Sequence, residues 1–74
     1  MARTKILSSV AGKVWKMELL AGASVQVGDT IMILESMKME IPIEATAAGM
    51  LAEIYVVEQD QVEEDQILAI IEYS

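Results

Sequence analysis

The chain has 74 residues, a formal net charge of −7 at pH 7 and 54% hydrophobic residues, with no cysteine and no histidine. One domain is the only count this length supports, and its core must come from Ile, Val, Leu, Met and Ala, since no disulfide or thiolate–metal site can staple it. The missing histidine removes the commonest general base and metal ligand, which argues against an independent hydrolase or a zinc or haem protein; the acidic balance, with no basic cluster to offset it, argues against nucleic-acid binding.

Taken in chain order, Met1-Ala2-Arg3-Thr4-Lys5 is basic, but the apolar stretch behind it is short and broken by Ser8, Ser9, Gly12 and Lys13. No signal peptide is read there. Ile6-Leu7 is a brief apolar run. Val14, Trp15, Met17, Leu19 and Leu20 follow Gly12, and Ile31–Leu34 follows the turn residues Val27-Gly28-Asp29-Thr30. Ile41 and Ile43 alternate with Glu40, Pro42 and Glu44; Leu51, Ile54, Val56 and Val57 follow Gly49; Ile67–Ile71 precedes Glu72-Tyr73. Short runs rich in Ile and Val read as strands, and the closely spaced turn signals predict an all-β sandwich or barrel. Pro42 cannot donate to a ladder, so its strand is expected at an edge or paired on one side only there. Met17, Met32 and Met50 read as core, Trp15 as core or sheet-face packing, and the acidic stretch Glu58–Asp65 as a solvated loop. The longest apolar run falls far short of the ~20 residues of a membrane span, so no membrane insertion is expected. The lack of cysteine fits a reducing, cytoplasmic location.

Sliding the chain by 37 residues without a gap lays Ala11-Gly12 on Ala48-Gly49, Val25 on Val62, and Ile33 and Glu35 on Ile70 and Glu72. Val14, Met17, Leu19 and Leu20 fall on Leu51, Ile54, Val56 and Val57. The pattern predicts two similar β units about a pseudo-twofold axis, each too small to bury its own apolar face. Gly22 falls on Gln59 and Gly28 on Asp65, so any turn that needs positive φ is strained in the second unit.

Between the two units lies Glu35-Ser36-Met37-Lys38-Met39-Glu40. A tight hairpin there favours Asn-Gly or Asp-Gly, because its turn needs positive φ. Met37-Lys38 breaks that rule, and such breaks mark functional or strained sites. Two methionines flank the lysine where a loop tip is usually polar, and methionine makes adaptable contacts. A primary amine on a four-carbon stem is a suitable attachment point, although on residue types alone a solvated loop lysine is the commoner reading.

The residues Glu35 to Glu40 closely resemble the attachment sequence of the biotinyl/lipoyl attachment domain family, in its biotin carboxyl carrier branch. The resemblance covers essentially residues 1–74. It implies a flattened β-barrel or sandwich (a barrel-sandwich hybrid) of two four-stranded antiparallel sheets with pseudo-twofold symmetry. Lys38 matches the lysine that receives covalent biotin from a biotin protein ligase, and Met37 and Met39 match its flanking methionines. Ser36 stands where the family more often has Ala; Ser occurs there in free-standing members and urea-carboxylase-like relatives. Glu35 and Glu40 bracket the tip, either as solvated strand-end carboxylates or as recognition charges for the ligase or a partner. Gly12 and Gly49 match small residues at turns on either side of the hairpin.

The resemblance implies a non-catalytic carrier. Biotin on Lys38 would shuttle a carboxyl group between the biotin carboxylase and carboxyltransferase active sites of a biotin-dependent, acyl-CoA or related carboxylase. The thumb-like insertion and the Ala/Pro-rich linker of many bacterial acetyl-CoA carboxylase carriers are missing, so a minimal or excised carrier is expected. The alternatives are a lipoyl carrier, for which Asp-Lys-Ala or Asp-Lys-Val is the more usual tip, and an unmodified interaction module of the same fold.

Overall fold

A computed structural model describes residues 1–74. It is all β: β1 (Ala2–Leu7), β2 (Gly12–Met17), β3 (Ser24–Val25), β4 (Thr30–Ser36), β5 (Met39–Glu44), β6 (Gly49–Ile54), β7 (Gln61–Val62) and β8 (Ile67–Tyr73). No helix is long and apolar enough to cross a membrane. The strands form two four-stranded sheets, ordered β1-β8-β6-β3 and β5-β4-β2-β7, and every pairing is antiparallel. Pro42 lies in β5, an edge strand, as its missing N–H requires.

The 37-residue shift describes the whole architecture. It carries β1 onto β5, β2 onto β6, β3 onto β7 and β4 onto β8, and so exchanges one sheet for the other. Each sheet takes two strands from each unit, so neither unit can close a sheet alone. The core follows the same rule. Ile6 and Ile43, Val14 and Leu51, Val25 and Val62, Ile31 and Leu68, Met32 and Ala69, and Leu34 and Ile71 are all buried, in matched pairs. Ser8 matches Ala45. It is buried as a polar residue at little cost because its hydroxyl donates to the carbonyl of Val10 at 2.6 Å.

The loops repeat as well. Gly22 N–H donates to Leu51 O at 2.7 Å, and its counterpart Gln59 N–H donates to Val14 O at 2.8 Å. Gly28 N–H donates to Ala45 O at 2.9 Å, and Asp65 N–H to Ser8 O at 2.8 Å. All four residues sit at the third position of a β-turn with positive φ: 97° and 93° at Gly22 and Gly28, 82° and 67° at Gln59 and Asp65. The strain expected in the second unit is therefore present. It costs a side chain about 1–2 kcal/mol, against the ~0.5–1 kcal/mol by which glycine disfavours folding entropically. Gln59→Gly is expected to stabilise the protein by about 0.5–1 kcal/mol. A lowered urea midpoint for that variant would contradict this account.

Three expectations need correction. Met50 is not core: it is 43% exposed on the outer face of β6. Its neighbour Leu51 takes the inward position in the period-2 alternation. Gly12 and Gly49 do not make turns. They begin β2 and β6 with no positive φ, and they are small because the neighbouring backbone crowds them. The stretch Glu58–Asp65 is not a plain loop, since β7 runs through it with Val62 fully in the core.

The molecule measures 37 × 18 × 17 Å. A seven-residue strand spans only ~23 Å, so the two sheets must be displaced along the long axis. The ends of β1 and β5 approach each other where Lys5, Ile6 and Leu7 share a groove with Pro42, Ile43 and Glu44. From there the strands run to opposite poles. One pole holds the β4–β5 hairpin. Its symmetry mate at the other pole is the pairing of Ala2 with Tyr73.

Candidate functional site

The β4–β5 ladder pairs Leu34 with Ile41, Glu35 with Glu40 and Ser36 with Met39, leaving Met37 and Lys38 as a two-residue turn. Their φ angles are +53° and +66°. Both central residues are left-handed, as the type I′ geometry of a tight hairpin demands, although neither is Gly, Asn or Asp. The turn persists because the ladder behind it is anchored in the core by Ile31, Met32, Leu34 and Ile43. Met37 is 92% exposed and Met39 63% exposed. Lys38 is exposed between them and takes part in no ion pair. The structure thus brings Glu35, Ser36, Met37, Lys38, Met39 and Glu40 together on one projecting tip.

Register extends the site beyond the hairpin. Gln61 lies opposite Lys13, Lys13 opposite Glu35, and Glu35 opposite Glu40. These four side chains stand abreast on the outer face, because their neighbours Val14, Leu34 and Val62 point inward. The symmetry-related row on the other sheet is Ser24, Met50, Glu72 and Arg3. There the last two form an ion pair, with Arg3 Nε 3.7 Å from Glu72. Arg3 also pairs with Glu53, whose other oxygen accepts the Tyr55 hydroxyl at 2.6 Å. That hydroxyl, with Arg3 behind it, holds the Glu53 carboxyl below its usual range, and the same bond to Glu53 raises the Tyr55 phenol.

At the lysine tip the cation of this pair is replaced by a second carboxylate. Glu35 and Glu40 are like charges directly opposite, an arrangement that costs rather than stabilises. Neither takes part in an ion pair within the chain. Lys13 and Gln61 were not singled out from the sequence. The signal existed in the 37-residue comparison, where they fall on Met50 and Ser24, but only register shows that they flank Glu35.

The family described as "Biotin-requiring enzyme" matches residues 4–71. The chain belongs to the biotin/lipoyl attachment family. It is 44% identical over 59 residues to the biotin/lipoyl attachment protein of Bacillus subtilis (strain 168), covering 80% of this chain and 81% of that protein. It is 30% identical over 66 residues to the biotinylated protein TB7.3 homolog of Mycobacterium leprae (strain TN), covering 89% and 93%. Among solved structures it superposes on the Kluyveromyces lactis urea carboxylase with a TM-score of 0.90 and 31% identity. That match covers 96% of this chain but 6% of the enzyme. A single-chain, multi-domain long-chain acyl-CoA carboxylase shares the fold, with a TM-score of 0.86 at 24% identity over 92% of this chain and 7% of its own. Membership in this family makes the chain a carrier domain.

Proposed function

We propose that this chain is a biotin carboxyl carrier. Lys38 holds biotin as an amide and moves a carboxyl group between the biotin carboxylase and carboxyltransferase sites of a biotin-dependent carboxylase. The observation that carries the reading is the exposed, unpaired Lys38 between two exposed methionines on a left-handed two-residue turn. The biotinylated mycobacterial relative and the two carboxylases that share the fold support it.

The residues present fit the group. An ε-amine without an ion-pair partner, at one pole of an elongated domain, is open to acylation by a biotin protein ligase. When bound, biotin supplies the ureido nitrogen that takes up and releases the carboxyl group. The protein's own part is mechanical and electrostatic. The ladder holds the tip rigid and the lysine stem gives reach. Tethering keeps the effective concentration of the group high at both sites. Amide formation removes the ammonium charge, so the formal net charge goes from −7 to −8. Met37 and Met39 give the ligase and the carboxylase an adaptable apolar grip.

Glu35 and Glu40 serve recognition: the unpaired carboxylates await a cationic side chain of a partner. Internal symmetry provides the test. Glu40→Arg rebuilds in the tip the pairing seen between Glu72 and Arg3. It is expected to leave the fold intact or stabilise it by up to ~1 kcal/mol. It is also expected to lower ligase kcat/KM about tenfold at low salt, with the difference shrinking as salt rises. An unchanged kcat/KM would make the two carboxylates ordinary strand-end charges.

The central experiment is co-expression with a biotin protein ligase, followed by intact mass and peptide mapping. One biotinyl group on Lys38, absent in Lys38→Arg, is the expected result. A lipoyl gain with lipoate ligase and no biotinyl gain would make the chain a lipoyl carrier. No gain with either would make it an unmodified module.

A further inference from the structure

We propose that the groove beside the lysine tip is a docking site for the cyclic urea of the biotinyl arm. In it Lys13 Nζ donates to the ureido carbonyl and Gln61 Oε1 accepts from a ureido N–H. The inference rests on the biotin reading of Lys38 and adds a second point of contact for the same group on the carrier itself.

The groove has a volume of about 450 Å³ and runs from Met37 and Ser36 across Glu35 and Lys13 to Gln61. Three properties point to a cyclic urea. The first is chemical. A urea presents one strong acceptor flanked by N–H donors, and the row offers a cation beside an amide oxygen in adjacent strands. The second is availability. Lys13 is half-buried but joins no ion pair, whereas Lys16 in the same strand is engaged by Glu18, and Arg3, the cation of the symmetry-related row, by Glu53 and Glu72. Gln61 makes no side-chain hydrogen bond within the chain. The third is symmetry. The mate of this groove at the opposite pole carries Met50 and Ser24 in the same register, and no lysine hairpin stands beside it. The fold does not need the cation or the amide, since it closes the same ladder without them.

Reach is adequate. Lys38 lies three positions from Glu35, ~10 Å of strand, and Lys13 and Gln61 stand one and two strands further across at ~4.8 Å each, so the span is ~11–14 Å; the lysine stem plus the valeryl chain of biotin is of that length. Docking must also be weak. A carrier whose arm is held on its own surface loses apparent affinity for the enzyme sites in proportion to the docked fraction. The exposed, solvated row gives a hold of that order. The arm is then retained at the domain surface between visits and released when an active site offers more contacts.

The test uses the biotinylated protein, with loading verified by intact mass, and the double variant Lys13→Met with Gln61→Ser. Both replacements are those the protein already carries at the symmetry-related positions, so the ladder is expected to form. Streptavidin captures only an undocked ring, so capture of the double variant is expected to be about three- to fivefold faster than that of the parent. In 15N spectra of the parent, biotinylation is expected to shift the amides of Lys13 and Gln61 as well as those of the hairpin. Equal capture rates, or shifts confined to residues 36–40, overturn the docking proposal while leaving the carrier reading intact. A protein that takes no biotin on Lys38 overturns both, and intact mass distinguishes the two failures.

Discussion

Gly49→Ala is expected to destabilise the protein by at least about 3 kcal/mol. A Cβ built on Gly49 collides with the backbone carbonyl oxygen of Glu72 and lies 3.1 Å from Tyr73 Cβ. The obstacle is main chain of β8, so no rotamer change relieves it; β6 and β8 would have to separate. Overpacking of a rigid interior costs about 1–3 kcal/mol and more where backbone must move. A 74-residue domain has roughly 4–11 kcal/mol of total stability at ~0.05–0.15 kcal/mol per residue. Gly12→Ala meets the same obstacle in the other sheet, where the added Cβ would lie 2.5 Å from the Glu35 carbonyl oxygen. Urea unfolding followed by Trp15 fluorescence measures both. A midpoint for Gly49→Ala equal to that of the parent would show that the strands can part there cheaply.

The second large effect sets stability against function. Replacing Met37-Lys38 with Asn-Gly supplies the residues that a type I′ turn prefers at both left-handed positions. Removing two strained side chains from this geometry is expected to stabilise the fold by about 1–2 kcal/mol. For a domain of this size that raises Tm by roughly 4–8 °C per kcal/mol. On the proposed carrier function, the same change deletes the acceptor amine and is expected to abolish modification completely. Lys38→Arg is the informative control, because it also abolishes modification but keeps the strained turn and should leave Tm unchanged. If the Asn-Gly variant melted no higher than the parent, the turn would carry no strain worth the name.

How much of this was legible in the sequence depended on periodicity. The all-β class, the twofold relation and the edge position of β5 followed from short Ile/Val runs, a gapless repeat and Pro42. Each of these acts locally or through a simple shift. The hairpin residues were legible because Met37-Lys38 violates turn chemistry, and the positive φ of Gln59 and Asp65 was legible from the glycines they replace. Met50 was misplaced because hydrophobicity alone does not say which face of a strand a residue occupies; Leu51 beside it was the inward one. Gly12 and Gly49 were placed at turns by the family resemblance, and the sequence could not correct it, because a glycine made small by a crowding backbone looks the same as one bent by positive φ. The row from Gln61 to Glu40 was not legible at all. It joins four strands whose pairing is fixed only when the sheet closes.

The interleaving of the two units has a kinetic consequence. Each sheet mixes strands from both halves of the chain, so nearly every stabilising pairing closes a long loop, and folding belongs to the slow, topology-limited regime of milliseconds to seconds. The β4–β5 hairpin is the local exception, but an isolated hairpin is only marginally stable in water. It becomes a fixed mount when β2 and β7 have joined on one side and the second sheet has capped the core. A modifying enzyme that reads the shape of the tip therefore also reads completion of the fold, and chains caught halfway present it with a lysine but not with a substrate.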